Sequence, residues 1–337
     1  MPYPTITGVG LAVPERLLTN QDLIDETGLT RATDAGMRRA TGIEQRYWID
    51  EPGEHATQLG LEAGRAALAM AGVLPKQLDG IHLSTGSPDL VSPSVASLVH
   101  GELGAPEDCG AVDINAACAG GVYALKHASM EMMGDAKERT LVIGSEIISH
   151  GLDRTDHRTV FLFGDGAGAA VLEQQEGANR PYFASITRAD RDAIYVPAAG
   201  HAKTDPDQAS HIRMNGAAVR NHAAHVMPTA AYKVAEQAGM AKDGRIDWDD
   251  IDFFIPHQAN RRMVEALGDG LGVPEDKRIV SVDRYGNTSS ASILMAMRDA
   301  YDRGIIPSGR KRVLFTAVGA GMVGGAALID VNLPEKS

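Results

Sequence analysis

An α/β fold made of two similar halves is predicted by three observations on this 337-residue sequence. Short apolar strand-like runs alternate with longer stretches whose apolar residues recur at three and four. Aromatic residues amount to only 5%, while Gly and Ala are abundant, which favours closely packed helices and strands over an aromatic-rich β sandwich. The same order of elements occurs twice, at an offset near half the chain length.

The strand-like runs, in chain order, are GIHLS at 80–84, LVIG at 141–144, AAVL at 169–172, FFI at 253–255, VLF at 313–315 and AALI at 326–329. Each is short and mainly apolar. Helices are expected over 56–71, 120–133, 218–238 and 289–303, where an apolar face repeats with helical period. The stretch 179–207 reads as mixed and loop-rich. Strand order then sets the repeat: Ile81 precedes Phe253 by 172 residues, Leu141 precedes Val313 by 172, and Ala169 precedes Ala326 by 157. The halves are drawn at 1–173 and 174–337. Alternating strands and helices in both halves place the chain in the α/β class.

Composition narrows the function. With 32 Lys and Arg against 44 Asp and Glu, the formal charge is -12, which excludes a generally basic nucleic-acid binder. No apolar run reaches the roughly 18 residues of a membrane span, and the opening MPYPTITGVG lacks a signal peptide's basic and apolar regions, so a cytoplasmic protein is expected. The two cysteines, Cys109 and Cys118, make at most one disulfide, and a chain this long needs no covalent staple. His222 and His225 lie three apart on an expected helix without a third ligand, so no metal site is expected.

Cys118 is the first candidate for chemistry. DINAACAGGVYAL puts it between a β-like run at 112–114 and a helix beginning near Gly120, among residues small enough to admit a substrate. A thiol at a helix N-terminus is acidified from about 8.5 toward neutrality and becomes a nucleophile. The competing reading is a small buried Cys in a tight turn; Cys109, in EDCGA, has no such setting and is expected to be inert. His257, in IPHQANRRM, emerges where a strand ends, which is where α/β folds expose functional groups, although a lone His is often an ordinary satisfied polar residue. Asn287, in RYGNTSSAS, occupies the strand-to-helix position that Cys118 holds in the first half; an ordinary turn or N-cap is the alternative. The repeat brings these three loops together. FGDGAGAAVL at 163–172 runs into a strand rather than out of one into a helix, so it is not read as a dinucleotide loop. GAGMVGGAALI at 319–329 also runs into a strand, and its glycines read as backbone N–H groups brought near a reactive centre, or as a plain turn.

Together, DINAACAGG, FGDGAGAAVL, PHQANRRM, RYGNTSSAS and GAGMVGGA, with GVGLAVPERLLTNQDL and ATGIEQRYW at the start, resemble β-ketoacyl-ACP synthase III, a condensing enzyme of the thiolase superfamily. The resemblance spans essentially the whole chain. It implies a thiolase-like five-layered αβαβα fold in two pseudo-repeated halves, a homodimer, and no metal or nucleotide cofactor. It also implies a decarboxylating Claisen condensation of an acyl thioester, acyl-CoA or acyl-ACP, with malonyl-ACP through an acyl-Cys118 intermediate. His257 and Asn287 would then stabilise the enolate, backbone N–H groups of Cys118 and Gly321 would hold the oxyanion, and Asn260 would contact the pantetheine arm. Arg262 would dock the acidic carrier protein, supported by Arg261 and Arg220.

The chain departs from the family where CoA is held. Gly36 and Ala40 stand where a Trp and an Arg grip the adenine, leaving Arg38 and Arg39 as candidate phosphate contacts, and Ser92 stands where an aromatic often closes the acyl pocket. Those departures point away from acetyl-CoA as the donor. Three other classes remain at this point. An acyltransferase of the same fold passes its acyl group to a hydroxyl or amine, a thiolase needs a second catalytic Cys after Cys118, and a non-catalytic partner subunit would have lost the nucleophile.

Overall fold

A computed structural model describes residues 1–29, 32–49, 55–135, 137–197 and 211–336. The first half forms a sheet of five strands: β1 (Tyr3–Ala12), β2 (Gly80–Ser84), β3 (Gly110–Ile114), β4 (Arg139–Glu146) and β5 (Gly166–Gln175). Their spatial order is β1, β5, β4, β2, β3, with β5 antiparallel to both neighbours and the rest parallel. The second half repeats this plan with β6 (Tyr182–Asp190), β7 (Phe253–Pro256), β8 (Gly309–Gly319) and β9 (Gly321–Leu333), ordered β6, β9, β8, β7. A parallel bridge from Phe254 to Arg278 stands where the first half has β3. The sheets touch through one parallel pair, Ile6 with Val331.

Register makes the duplication quantitative. Ile81 pairs with Leu141 and Phe253 with Val313, so both partners carry the 172-residue offset. The outer strand is shifted differently: Leu141 faces Val171 while Val313 faces Ile329, an offset of 158, one more than the 157 read from the sequence. The offset falls because β8 and β9 form a tight hairpin, whereas a long loop separates β4 from β5. Strand β5 runs to Gln175, across the 173/174 boundary drawn from the sequence.

Helices fill the remaining layers. On one face of the first sheet lie α1 (Ala56–Ala71) and α2 (Val95–Leu103), with Leu59, Ala63, Val95 and Val99 packed on Ile81, Leu83, Leu141 and Ile143. Neither start is left bare: the Asp89 carboxylate accepts from Ala56 N and Thr57 N, and that of Asp113 accepts from Val95 N and Ala96 N, all at 2.7–2.9 Å. Gly8 and Gly10 let α1 lie directly on β1, because a Cβ at either would collide with the Ala67 or Ala63 carbonyl. Between the sheets run α3 (Gly120–Asp135) and α6 (Ser292–Asp302), whose Leu125, Ala128, Leu294 and Met297 join one core with residues of both sheets. Beyond the second sheet lie α4 (Gly216–Gln237) and α5 (Arg261–Leu271). The result is five layers, α/β/α/β/α, around three apolar seams.

Two expectations change. The stretch 179–207 contains the nine-residue strand β6, and residues 198–207 lie outside those described. Its sequence YFASITRAD puts polar groups on the open face, so it lacks the continuous apolar run of a doubly covered strand. The helix expected over 289–303 begins as a 3-10 turn, Ser289–Ala291, before α6. No helix among the described residues is long and apolar enough to cross a membrane.

Candidate active site

Cys118 sits in a 3-10 turn, Ala117–Ala119, between β3 and α3. The turn is sharp: Ala117 has φ +47°, and its N–H donates to Asn115 Oδ1 at 3.2 Å. Close packing around it depends on absent side chains, since a Cβ on Gly120 would collide with Ser84 Oγ and one on Gly121 would come within 2.6 Å of Ser290 O. The second half repeats the device 172 residues later. Ser289 has φ +49°, its N–H donates to Asn287 Oδ1 at 2.9 Å, and the turn Ser289–Ala291 leads into α6. The counterpart of Asn287 is therefore Asn115, and that of Cys118 is Ser290. This corrects the equivalence of Asn287 with Cys118.

His257 follows directly on β7, its N–H donating to Thr316 O at 2.8 Å so that the strand pairing holds the residue in place. The ring is 3% exposed, with Nδ1 2.8 Å from Ser292 Oγ. Burial pushes it down to about 4, so it is neutral near pH 7. Asn287 is pinned by residues 162–164, at the start of the FGDG segment: its N–H donates to Leu162 O at 2.8 Å and its carbonyl accepts from Gly164 N at 3.1 Å. Only glycine permits that approach, as a Cβ on Gly164 would collide with the Tyr285 carbonyl. The Asp165 carboxylate ties the next loops together by accepting from Ile49 N, Ser149 N and Ser149 Oγ. Gly168 gives α6 its close seat on β5, for a Cβ there would lie 2.6 Å from Met295 N. The motif thus serves packing.

Cys118, His257 and Asn287 line one cavity of about 710 Å³ together with Asn260, Arg262, Arg220 and Ala40. The walls are largely apolar, from Leu162, Phe163, Met214, Met227, Val318 and Met322 among others. This environment works against the expected acidification of Cys118. Burial pushes the Cys118 thiol up to about 11, a hydrogen bond from Ser289 Oγ at 3.4 Å opposes the rise, and the carboxylate of Glu146 adds to it. Glu146 is fully buried behind the turn, accepting from Ser290 Oγ and Ser87 Oγ at 2.7 Å and Gly86 N at 3.0 Å. Burial also pushes Cys109 up to about 11, outside this cavity.

Several expected site residues fall elsewhere. Gly321 is exposed, pairs with Asp190 and does not line the cavity; Gly319 and Ala320 do, and a Cβ on Gly319 would lie 2.8 Å from Cys118 N. Gly319 ends β8 and Gly321 opens β9, so the chain reverses at Ala320 and leads away from the thiol between them. Asn260 caps α5, its Oδ1 accepting from Met263 N at 2.9 Å, which leaves the amide nitrogen to the cavity. Arg262 and Arg220 stand exposed at the rim, whereas Arg261 turns toward Asp283 and Glu265 at 3.8 Å. Arg38 is engaged by Asp34 and Glu44 at 2.9 Å, and Arg39 is exposed outside the lining. Ser92 is likewise exposed and outside the lining. His222 pairs with Asp190 at 2.8 Å, and no cluster of three or more His, Cys, Asp or Glu suited to a metal occurs among the described residues. Sequence reading missed Ser289, Ser292 and Asn115, although the 172-residue offset, followed residue by residue from Asn287, leads to Asn115.

Comparison with known proteins places the chain in a family. Residues 112–190 match the model for 3-oxoacyl-[acyl-carrier-protein (ACP)] synthase III, and residues 241–331 match the model for its C-terminal part. The chain is 37% identical over 331 residues to β-ketoacyl-[acyl-carrier-protein] synthase III of Brucella canis, covering 96% of this chain and 98% of that one. It is 39% identical over 329 residues to the enzyme of that name from Symbiobacterium thermophilum, covering 95% and 96%. The crystal structure of 3-oxoacyl-(acyl carrier protein) synthase III from Pseudomonas aeruginosa PAO1 superposes with a TM-score of 0.87 at 29% identity, covering 98% of each chain.

Proposed function

The chain belongs to the β-ketoacyl-[acyl-carrier-protein] synthase III family, and from that premise we propose that Cys118, His257 and Asn287 divide a decarboxylating Claisen condensation between them. The observation that carries this assignment is that all three line one cavity while the rear of each polar side chain is already engaged. Asn287 Oδ1 accepts from Ser289 N and His257 Nδ1 contacts Ser292, so the free ends are the Asn287 amide N–H and His257 Nε2.

In the first half-reaction Cys118 Sγ attacks the acyl thioester carbonyl. The oxyanion is held by backbone N–H groups of Cys118 and of the Gly319–Ala320 turn, and collapse expels the thiol, which carries away the proton lost by Cys118. A single such donor contributes roughly 2.7–4 kcal/mol. In the second, malonyl-ACP enters and its carboxylate leaves as carbon dioxide. Two hydrogen bonds, from Asn287 and His257, stabilise the thioester enolate. That carbon attacks the acyl carbonyl and Cys118 departs as a thiolate that takes up one proton from solvent, giving a β-ketoacyl thioester and the free thiol. Neither donor needs to be charged, which suits a neutral, buried imidazole.

Asn260 positions the pantetheine arm, and Arg262 with Arg220 at the rim meets the acidic carrier protein. A local basic pair is required because the global charge of -12 repels such a partner. A second copy docks along the open edge of β3, where Val112 is 46% exposed, making a cytoplasmic homodimer. The chemistry rests on the substrates and these side chains, without metal or organic cofactor.

Intact-mass measurement tests the assignment. Cys118→Ala is expected to take up no acyl group, while His257→Ala and Asn287→Ala still acylate and fail to turn over with malonyl-ACP. An Asn287 variant that condenses at the normal rate refutes the enolate role. Turnover of the acyl-enzyme by hydroxyl or amine acceptors in place of malonyl-ACP points to the acyltransferase reading.

A further inference from the structure

The His257 ring has two nitrogens, and the hydrogen bonds around Nδ1 decide which of them carries the proton. Ser292 Oγ lies 2.8 Å from Nδ1 and 3.4 Å from Gln258 N, and among the described residues it has no third polar partner. A backbone N–H only donates, so Ser292 Oγ accepts from Gln258. If the ring also donated to that oxygen, the hydroxyl hydrogen would be left without an acceptor in a position only 1% exposed. If the hydroxyl donates to Nδ1, every donor is satisfied. The ring's one proton then sits on Nε2.

The duplicated frame shows how Ser292 comes to occupy this place. Its counterpart 172 residues earlier is Gly120, whose lack of a side chain makes room for Ser84 Oγ at the end of β2. In the first half, then, a hydroxyl crosses the gap between strand end and helix start from the strand side. In the second half it crosses from the helix side, and there it meets an imidazole.

We propose that Ser292 is a positioning residue that sets the tautomer of His257, so that an Nε2–H donor rather than a bare lone pair faces the thioester enolate. The proposal rests on the condensing reading above. A hydroxyl is also the right partner for a ring that must stay neutral, since a carboxylate there would favour the imidazolium.

The test uses full-length wild-type protein, Ser292→Ala and Ser292→Thr, with 15N NMR of labelled histidine rings and both half-reactions followed by intact mass. The His257 signal is identified by its loss in His257→Gln. Wild type and Ser292→Thr are expected to show a protonated Nε2 and an unprotonated Nδ1. Ser292→Ala is expected to show a tautomer mixture, and its ratio of malonyl-ACP turnover to self-acylation should fall roughly tenfold. A wild-type ring protonated on Nδ1 overturns the proposal. So does a Ser292→Ala protein with the wild-type ring signature and ratio. Because the wild-type spectrum needs no variant, it decides the matter even if Ser292→Ala does not fold. A wild-type acyl-enzyme that ignores malonyl-ACP counts against the condensing reading instead, whatever the ring spectrum.

Discussion

Replacing Gly319 by Ala should cripple the first half-reaction, because the residue lies against the turn that presents Cys118. A Cβ built there would stand 2.8 Å from Cys118 N, 3.0 Å from Ala117 Cβ, and in collision with the Ala116 carbonyl. Ordinary contact begins at 3.4 Å, so the approach to Cys118 N alone demands about 0.6 Å of separation between hairpin and turn. Two of these atoms are backbone and the third is a Cβ, so none can swing aside as the end of a long side chain would. A displacement of about 1 Å costs on the order of 100-fold in rate when it disturbs reacting geometry, and a misaligned oxyanion donor costs as much again or more. The self-acylation rate should therefore fall by about 100-fold, measured as the time course of the acyl adduct by intact mass at saturating thioester. Gly321→Ala is the control: its φ of +78° adds about 1 kcal/mol of strain, but its only near neighbour is Val323 Cγ2 at 3.8 Å, so acylation should stay close to normal. Acylation of Gly319→Ala within about threefold of wild type, or an equal loss in Gly321→Ala, refutes the placement of the oxyanion donors.

Three further outcomes are expected. Arg262→Glu should raise the KM for malonyl-ACP strongly while self-acylation by a small thioester is unchanged, because Arg262 stands at the cavity rim; equal loss in both half-reactions argues against docking. Because burial raises the Cys118 thiol to about 11, the thiolate is scarce at neutral pH, and alkylation by iodoacetamide should climb about tenfold per unit from pH 7 to pH 9; a plateau by pH 8 contradicts the raised value. Arg312 and Asp330 form a pair at 2.8 Å with side chains only 5% and 1% exposed, so Arg312→Met should lower unfolding free energy by about 3–5 kcal/mol in denaturant melts, and Arg312→Met with Asp330→Leu should recover part of it.

The duplicated α/β architecture and the meeting of Cys118, His257 and Asn287 at one cavity were legible in the linear sequence, since strands and helices follow local pattern and the repeat brings corresponding loops together. Strand runs such as GIHLS and VLF are apolar because they are covered on both faces, and the small residues around Cys118 are what a tight strand-to-helix turn requires. Direction in space was not legible. Arg261 and Arg262 are adjacent in the chain, yet about 100° of helical rotation sends one to Asp283 and the other to the cavity rim. Gly319 and Gly321 look alike in GAGMVGG, but the hairpin register puts only the first against Cys118 N. The acidity of the thiol followed the same rule: its place before a helix predicted a lowered value, and the apolar walls gathered from α4, α5 and the β8–β9 hairpin raised it. A sequence determines which groups are available and the local turns they sit in; only the packed layers decide which groups face one another and how much water reaches them, because both depend on neighbours more than a hundred residues away.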